Sequence, residues 1–135
     1  MRSRYHVHEH DRAYFVTSTT VAWLPIFTTA ARCDLIVESL AYCRIHKALK
    51  IYAWVILDNH FHAILAAPDI PRVMADLKRH TARQLLDLLG TERAEWLLNQ
   101  LRYHRAAHKT ASEHQVWQEG YHPQLLSLPR RKAQR

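Results

Sequence analysis

Glycine is almost missing from this chain: Gly90 and Gly120 are its two glycines in 135 residues. No Ser/Gly-rich linker interrupts the sequence, so nothing marks a domain boundary, and the length fits one domain. Cysteine is equally scarce. Cys33 and Cys43 lie in a stretch patterned as helix, where ten residues span about 15 Å. A disulfide needs Cα atoms within about 7 Å, so free thiols in a reducing compartment are expected. There is no run of about 20 apolar residues to span a membrane. The N-terminal MRSRYHVHEHDR has no apolar core and is not read as a signal peptide. The expected location is the cytoplasm.

Acidic charge is also in deficit. Twelve Asp and Glu face 19 Lys and Arg, for a net charge of +7 before any of the 11 histidines is protonated. A small domain this basic is suited to polyanions, and nucleic acid is the commonest of them.

What is present reads as an alternation of strands and helices. RAYFVTSTT (12–20) is aromatic and β-branched, a first strand. Pro25 keeps 23–29 a loop, and Thr28 or Thr29 can cap a helix over about 30–49. Its apolar residues Leu35, Ile36, Leu40, Cys43 and Leu49 recur at helical spacing. IYAWVILD (51–58) and FHAILAAP (61–68) are strands joined by the short Asp58-Asn59 turn, hence an antiparallel hairpin.

The spacing predicts a second helix over 69–90, with Pro71 in its first turn and Gly90 as its stop. Val73, Met74, Leu77, Leu85 and Leu88 form its apolar stripe, with Lys78, Arg79 and Arg83 as a basic strip alongside. A third helix is predicted over 91–109, and a turn-interrupted strand pair over 114–127. The order predicts an α+β fold: a ferredoxin-like antiparallel sheet with helices packed mainly on one face. Residues 1–127 form the single domain. Residues 128–135, with Arg130, Arg131, Lys132 and Arg135, form a basic tail expected to be disordered, able to add affinity by counterion release.

Within DNHFHAIL (58–65), His60 and His62 are two apart on a strand. Alternate strand residues share a face, so both imidazoles lie together and Phe61 turns away. Such a pair can hold a metal ion. The same spacing occurs at His6, His8 and His10, where no strand supports it, and those are read as solvated. His104 and His108 share a helical face but are read as solvated too.

Four stretches in order, RAYFVTSTT, YAWVILDNHFHAIL, LKRHTARQLL and VWQEGYHPQLL, resemble the REP-associated tyrosine transposases. These are single-tyrosine transposases of the wider His-hydrophobic-His nuclease group. The resemblance covers roughly residues 12–127. It implies action on single-stranded DNA near a hairpin, with His60 and His62 plus one further polar side chain holding Mg²⁺ or Mn²⁺. A tyrosine attacks the scissile phosphate and becomes joined to the 5′ phosphate, releasing a 3′ hydroxyl. It also implies a nucleoid-associated bacterial-type protein, and relatives can dimerise, so a homodimer is among the expected partners. Imidazole suits Mn²⁺, whereas Mg²⁺ leans on oxygen donors. Asn59 is positioned to orient a ligand from behind.

One departure stands out. In the family, a helix carrying the tyrosine follows the block matched by VWQEGYHPQLL, but no tyrosine and no Asn-Pro follow Gln124 here. The expectation is a truncated, cleavage-deficient protein, with Tyr103 and Tyr121 as weak substitutes for the nucleophile. The alternative is a non-catalytic DNA-hairpin-binding module derived from a transposase, and a more distant one is a metal-dependent phosphoesterase that uses water. Lys78, Arg79, Arg83 and His80 are candidate phosphate contacts. Trp117 and Tyr121 are candidates to stack on unpaired bases, with a core position the competing reading for Trp117.

Overall fold

A computed structural model describes residues 12–105 and 113–126. The N-terminal histidines, His108 and the basic tail lie outside these residues. The elements are β1 (Tyr14–Thr19), α1 (Ala30–His46), β2 (Lys50–Ile56), β3 (His60–Ala66), α2 (Ile70–Thr91), α3 (Glu95–Tyr103) and β4 (Gln124–Leu125). The four strands form one antiparallel sheet in the order β2-β3-β1-β4. This is the expected α+β, ferredoxin-like arrangement.

Alternation along the central strands decides the two faces. Tyr14, Val16 and Ser18 on β1 are buried, as are Phe61, Ala63 and Leu65 on β3. Their neighbours Phe15, Thr17, Thr19, His60, His62 and Ile64 are half-buried on the opposite face. The buried set meets α1 through Ile36, Leu40 and Cys43 and α2 through Val73, Met74, Leu77 and Leu85. Each such side chain contributes roughly 1.5–3 kcal/mol when fully buried. The helices therefore cover one face and leave the histidine face open.

Both long helices start where local chemistry starts them. The Thr29 hydroxyl accepts from the Arg32 amide at 3.3 Å, and the Asp69 carboxylate accepts from the Arg72 amide at 3.1 Å, satisfying N–H groups with no partner inside the helix. Pro71 occupies the first turn of α2, as expected.

The stops differ from expectation. Gly90 lies inside α2, which runs on to Thr91; the left-handed residue that turns the chain is Arg93, at φ 57°. The Ala94 amide then bonds back to the Leu89 carbonyl at 2.9 Å. α1 ends three residues early, at His46, because Ala48 adopts φ 54° and the Leu49 amide returns to the Cys43 carbonyl at 3.3 Å. Leu49 is still buried, so helical periodicity ran past the true end. α3 is shorter than predicted at both ends: 92–94 form the turn after α2, the helix stops at Tyr103 with His104 as its cap, and residues 106–109 lie outside the described residues.

The strand pair predicted over 114–127 is reduced to a bridge between Thr20 and Trp117 and the two-residue β4. Gly120 at φ 81°, His122 at φ 44° and Pro123 break regular pairing. Single hydrogen bonds hold this return instead: Val21 amide to Val116 carbonyl, Gln118 amide to Thr19 carbonyl and Thr17 amide to Tyr121 carbonyl, each 2.8 Å.

Cys33 and Cys43 are free. No helix among the described residues is long and apolar enough to cross a membrane.

Candidate metal and nucleic-acid site

His60 and His62 enter on β3 opposite Thr19 and Thr17 of β1. Their ring centres are 4.7 Å apart, edge to face at 74°. Two imidazoles side by side are the donor type that would hold a divalent ion.

Each ring is held at its Nδ1. The His60 Nδ1 lies 2.6 Å from Asn59 Oδ1, while the Asn59 Nδ2 donates to the Trp23 carbonyl at 3.4 Å. An amide oxygen only accepts, so the bond is donated by His60 Nδ1, and Nε2 is the ring nitrogen left to face a ligand. The His62 Nδ1 lies 2.9 Å from the Thr17 hydroxyl, and its ring stacks on Phe15 at 5.1 Å. Burial, and secondarily His60, push the His62 pKa below its ordinary value. Both effects favour the neutral imidazole that a metal requires.

Among the described residues no group of three His, Cys, Asp or Glu side chains surrounds a metal position. Two imidazoles alone would be a partial ligand set for a divalent ion. The role of Asn59 was legible as an adjacent polar residue. Thr17 and Phe15 were not, because nothing in the sequence states the β1–β3 register.

The basic strip lies on the helical side. Lys78, Arg79 and Arg83 line one wall of a groove of about 750 Å³; residues 114–119, which include Trp117, form the other. Within it, Lys78 is engaged internally, its ammonium donating to the carbonyls of Gln118 at 2.8 Å and Gly120 at 2.5 Å. Arg79 is exposed and bonded to Asp76 at 2.7 Å. Arg83 is exposed, with no ion pair among the described residues. His80 is exposed on the same helix, beside the α1–α2 cleft.

Trp117 requires a correction. Its indole is 5% exposed, packed between Phe27 and Phe61 at 5.6 Å from each. The ring N–H donates to the Thr81 hydroxyl at 3.1 Å. A side chain sealed in the core cannot stack on a base, and its lining of the groove is its outer edge only.

The tyrosines expected as substitute nucleophiles are not beside the histidines. Tyr121 packs against the core. Burial, then the charge of Asp69 and the neighbouring Tyr14, push its phenol up to about 12. Tyr14 points to the covered face, opposite the histidines, and a raised pKa opposes the phenolate that attack requires. This also leaves Tyr121 a poor base platform. Tyr103 is 80% exposed at the end of α3, in edge contact with His104 at 4.9 Å. α3 packs on α2, in the helical layer.

No family model matches the chain, and no curated protein matches it. Solved structures do. A REP-associated tyrosine transposase bound to a REP hairpin aligns with TM-score 0.61 at 13% identity, over 96% of this chain. This chain spans 64% of that protein's length. A protein assigned as a transposase, from Deinococcus radiodurans R1, aligns with TM-score 0.59 at 16% identity, over 93% of this chain and 87% of its own.

The fold is shared with transposases. At these identities the likeness concerns architecture, and the chemistry rests on the residues described above.

Proposed function

We propose that this chain is a DNA-binding domain of the tyrosine-transposase kind, taking single-stranded or hairpin DNA with a divalent ion, Mg²⁺ or Mn²⁺, on His60 and His62. The observation that carries this reading is the histidine pair. Two imidazoles stand side by side on the open sheet face, each fixed at Nδ1 by Asn59 or Thr17, in a fold shared with a hairpin-bound transposase. The net charge of +7 supports a polyanionic partner. Arg79 and Arg83 supply phosphate contacts along the α2 groove, and Lys78 holds the loop that forms its far wall.

When bound, a divalent ion neutralises charge on the phosphate oxygens and orients the scissile bond. The His60 and His62 Nε2 atoms position that charge, and Asn59 fixes which nitrogen His60 offers. The family chemistry, transesterification through a 5′-phosphotyrosine, needs a tyrosine beside the pair. Tyr103 and Tyr121 do not stand there, so these residues are proposed to bind without cutting.

The test is a labelled hairpin oligonucleotide with Mn²⁺, run on native and denaturing gels. The expected result is a retarded native band that weakens with salt and no covalent adduct. A protein-linked band on the denaturing gel would overturn the non-cleaving half. Free 5′-phosphate ends without an adduct would point to water as nucleophile. No retardation at low salt would overturn DNA binding itself.

A further inference from the structure

Trp23 carries its indole 66% exposed on a backbone that disfavours any side chain. Ala22 and Trp23 are consecutive non-glycine residues in the left-handed region, at φ 52° and φ 53°. L-residues adopt that conformation only where their surroundings impose it, and such strain concentrates at binding sites.

The surroundings impose it here. Val21 and Leu24, on either side, are buried. The Thr20 hydroxyl donates to the Leu24 carbonyl at 2.8 Å, and the Trp23 amide bonds to the Thr20 carbonyl at 3.1 Å. The indole itself makes no ring contact among the described residues. The turn is thus anchored at both ends and leaves a large aromatic mostly exposed.

Its position links it to the histidines. The Asn59 side chain that accepts from His60 Nδ1 also donates to the Trp23 carbonyl. The Thr20 amide bonds to the Asn59 carbonyl at 2.9 Å. Trp23 therefore stands at the His60 end of the sheet, one amide group away from that imidazole.

Resting on the DNA-binding reading above, we propose that Trp23 is the stacking platform for one unpaired base of a strand lying across His60 and His62. A nucleobase is flat, apolar on its faces and polar at its edges. It matches an exposed indole carried on a turn whose backbone carbonyl at Trp23 accepts from the Asn59 side chain. Stacking of this kind is tolerant of base identity, so Trp23 positions the strand without reading sequence.

The experiment compares wild type with Trp23→Ala, Trp23→Phe and Trp23→Gly by fluorescence anisotropy on a single-stranded oligonucleotide. Trp96→Ala, at a 59% exposed indole on α3, is the control. The expected loss for Trp23→Ala is roughly 5- to 150-fold in affinity, equivalent to about 1–3 kcal/mol of stacking per base. Trp23→Phe keeps most of the affinity, and Trp96→Ala keeps all of it.

Trp23→Gly removes the backbone strain, so it keeps or raises the melting temperature while losing affinity as Trp23→Ala does. Trp23→Ala within twofold of a wild type that binds would overturn the platform alone. A wild type that does not bind would overturn the DNA-binding reading first.

Discussion

Asn59 Oδ1 and His60 Nδ1 lie 2.6 Å apart, and that bond decides which nitrogen of His60 can meet a metal ion. Asn59→Ala frees the ring to rotate and to change tautomer. Outer partners of this type are worth about 10- to 100-fold in metal affinity. Mn²⁺ titration followed by electron paramagnetic resonance should show that loss for Asn59→Ala. It should show no high-affinity site for the His60→Ala, His62→Ala double variant. Unchanged Mn²⁺ binding in the double variant would place the ion elsewhere.

Arg83 and Lys78 line the same groove but are predicted to behave differently. Arg83 is exposed and unpaired among the described residues, so Arg83→Ala should weaken DNA binding evenly across sequences and lower the salt slope by about 1. Lys78 donates to two carbonyls of the return loop, and hydrogen bonds to charged groups are worth about 1.5–3 kcal/mol. Lys78→Met should lower the urea midpoint measurably, which Arg83→Ala should not. A reversed pattern would make Lys78 the phosphate contact.

Trp117 tests the core assignment. Trp117→Ala should destabilise the fold by about 3–5 kcal/mol, the usual cost of deleting a buried large aromatic. Trp117→Phe keeps much of the packing against Phe27 and Phe61 but leaves the Thr81 hydroxyl without its donor, and should cost less. Chemical denaturation measures both. A stable Trp117→Ala protein with lost DNA affinity would restore the base-stacking role.

Asp76 sets an acid limit on stability. The hydrogen bond from Lys47, and then that from Arg79, hold its carboxyl at about 2 against an ordinary 3.8. A lowered folded-state pKa means the stabilising contribution is complete above pH 3.8 and is lost as pH falls through about 2. Urea midpoints of wild type and Asp76→Asn should therefore differ at pH 5 and converge towards pH 2. A constant gap across that range would remove Asp76 from the account.

Local pattern reached far in this chain because its elements are locally encoded. The hairpin around Asp58-Asn59, the Thr29 cap, Pro71 in the first turn of α2 and the shared face of His60 and His62 all depend on residues within a turn of one another. Period-two alternation alone put both imidazoles on one side. The order of elements was enough to anticipate the α+β sheet.

Other features depend on what distant segments bring. Gly90 looked like a stop, yet the chain turns at Arg93, where the Ala94 amide can reach back to Leu89. Trp117 was readable as a core anchor or as a base platform, and Phe27, Phe61 and Thr81 come from three other parts of the chain to bury it. Lys78 looked like a phosphate contact until the return loop placed two carbonyls on it.

The sequence by itself determined that two histidines would stand together on a strand of a basic, sheet-and-helix domain, because strand geometry has a period of two and charge is additive. Only the tertiary structure decided their partners. Thr17 meets His62 across 45 residues of chain, and strand register is set by which face finds the core, a property no single segment carries.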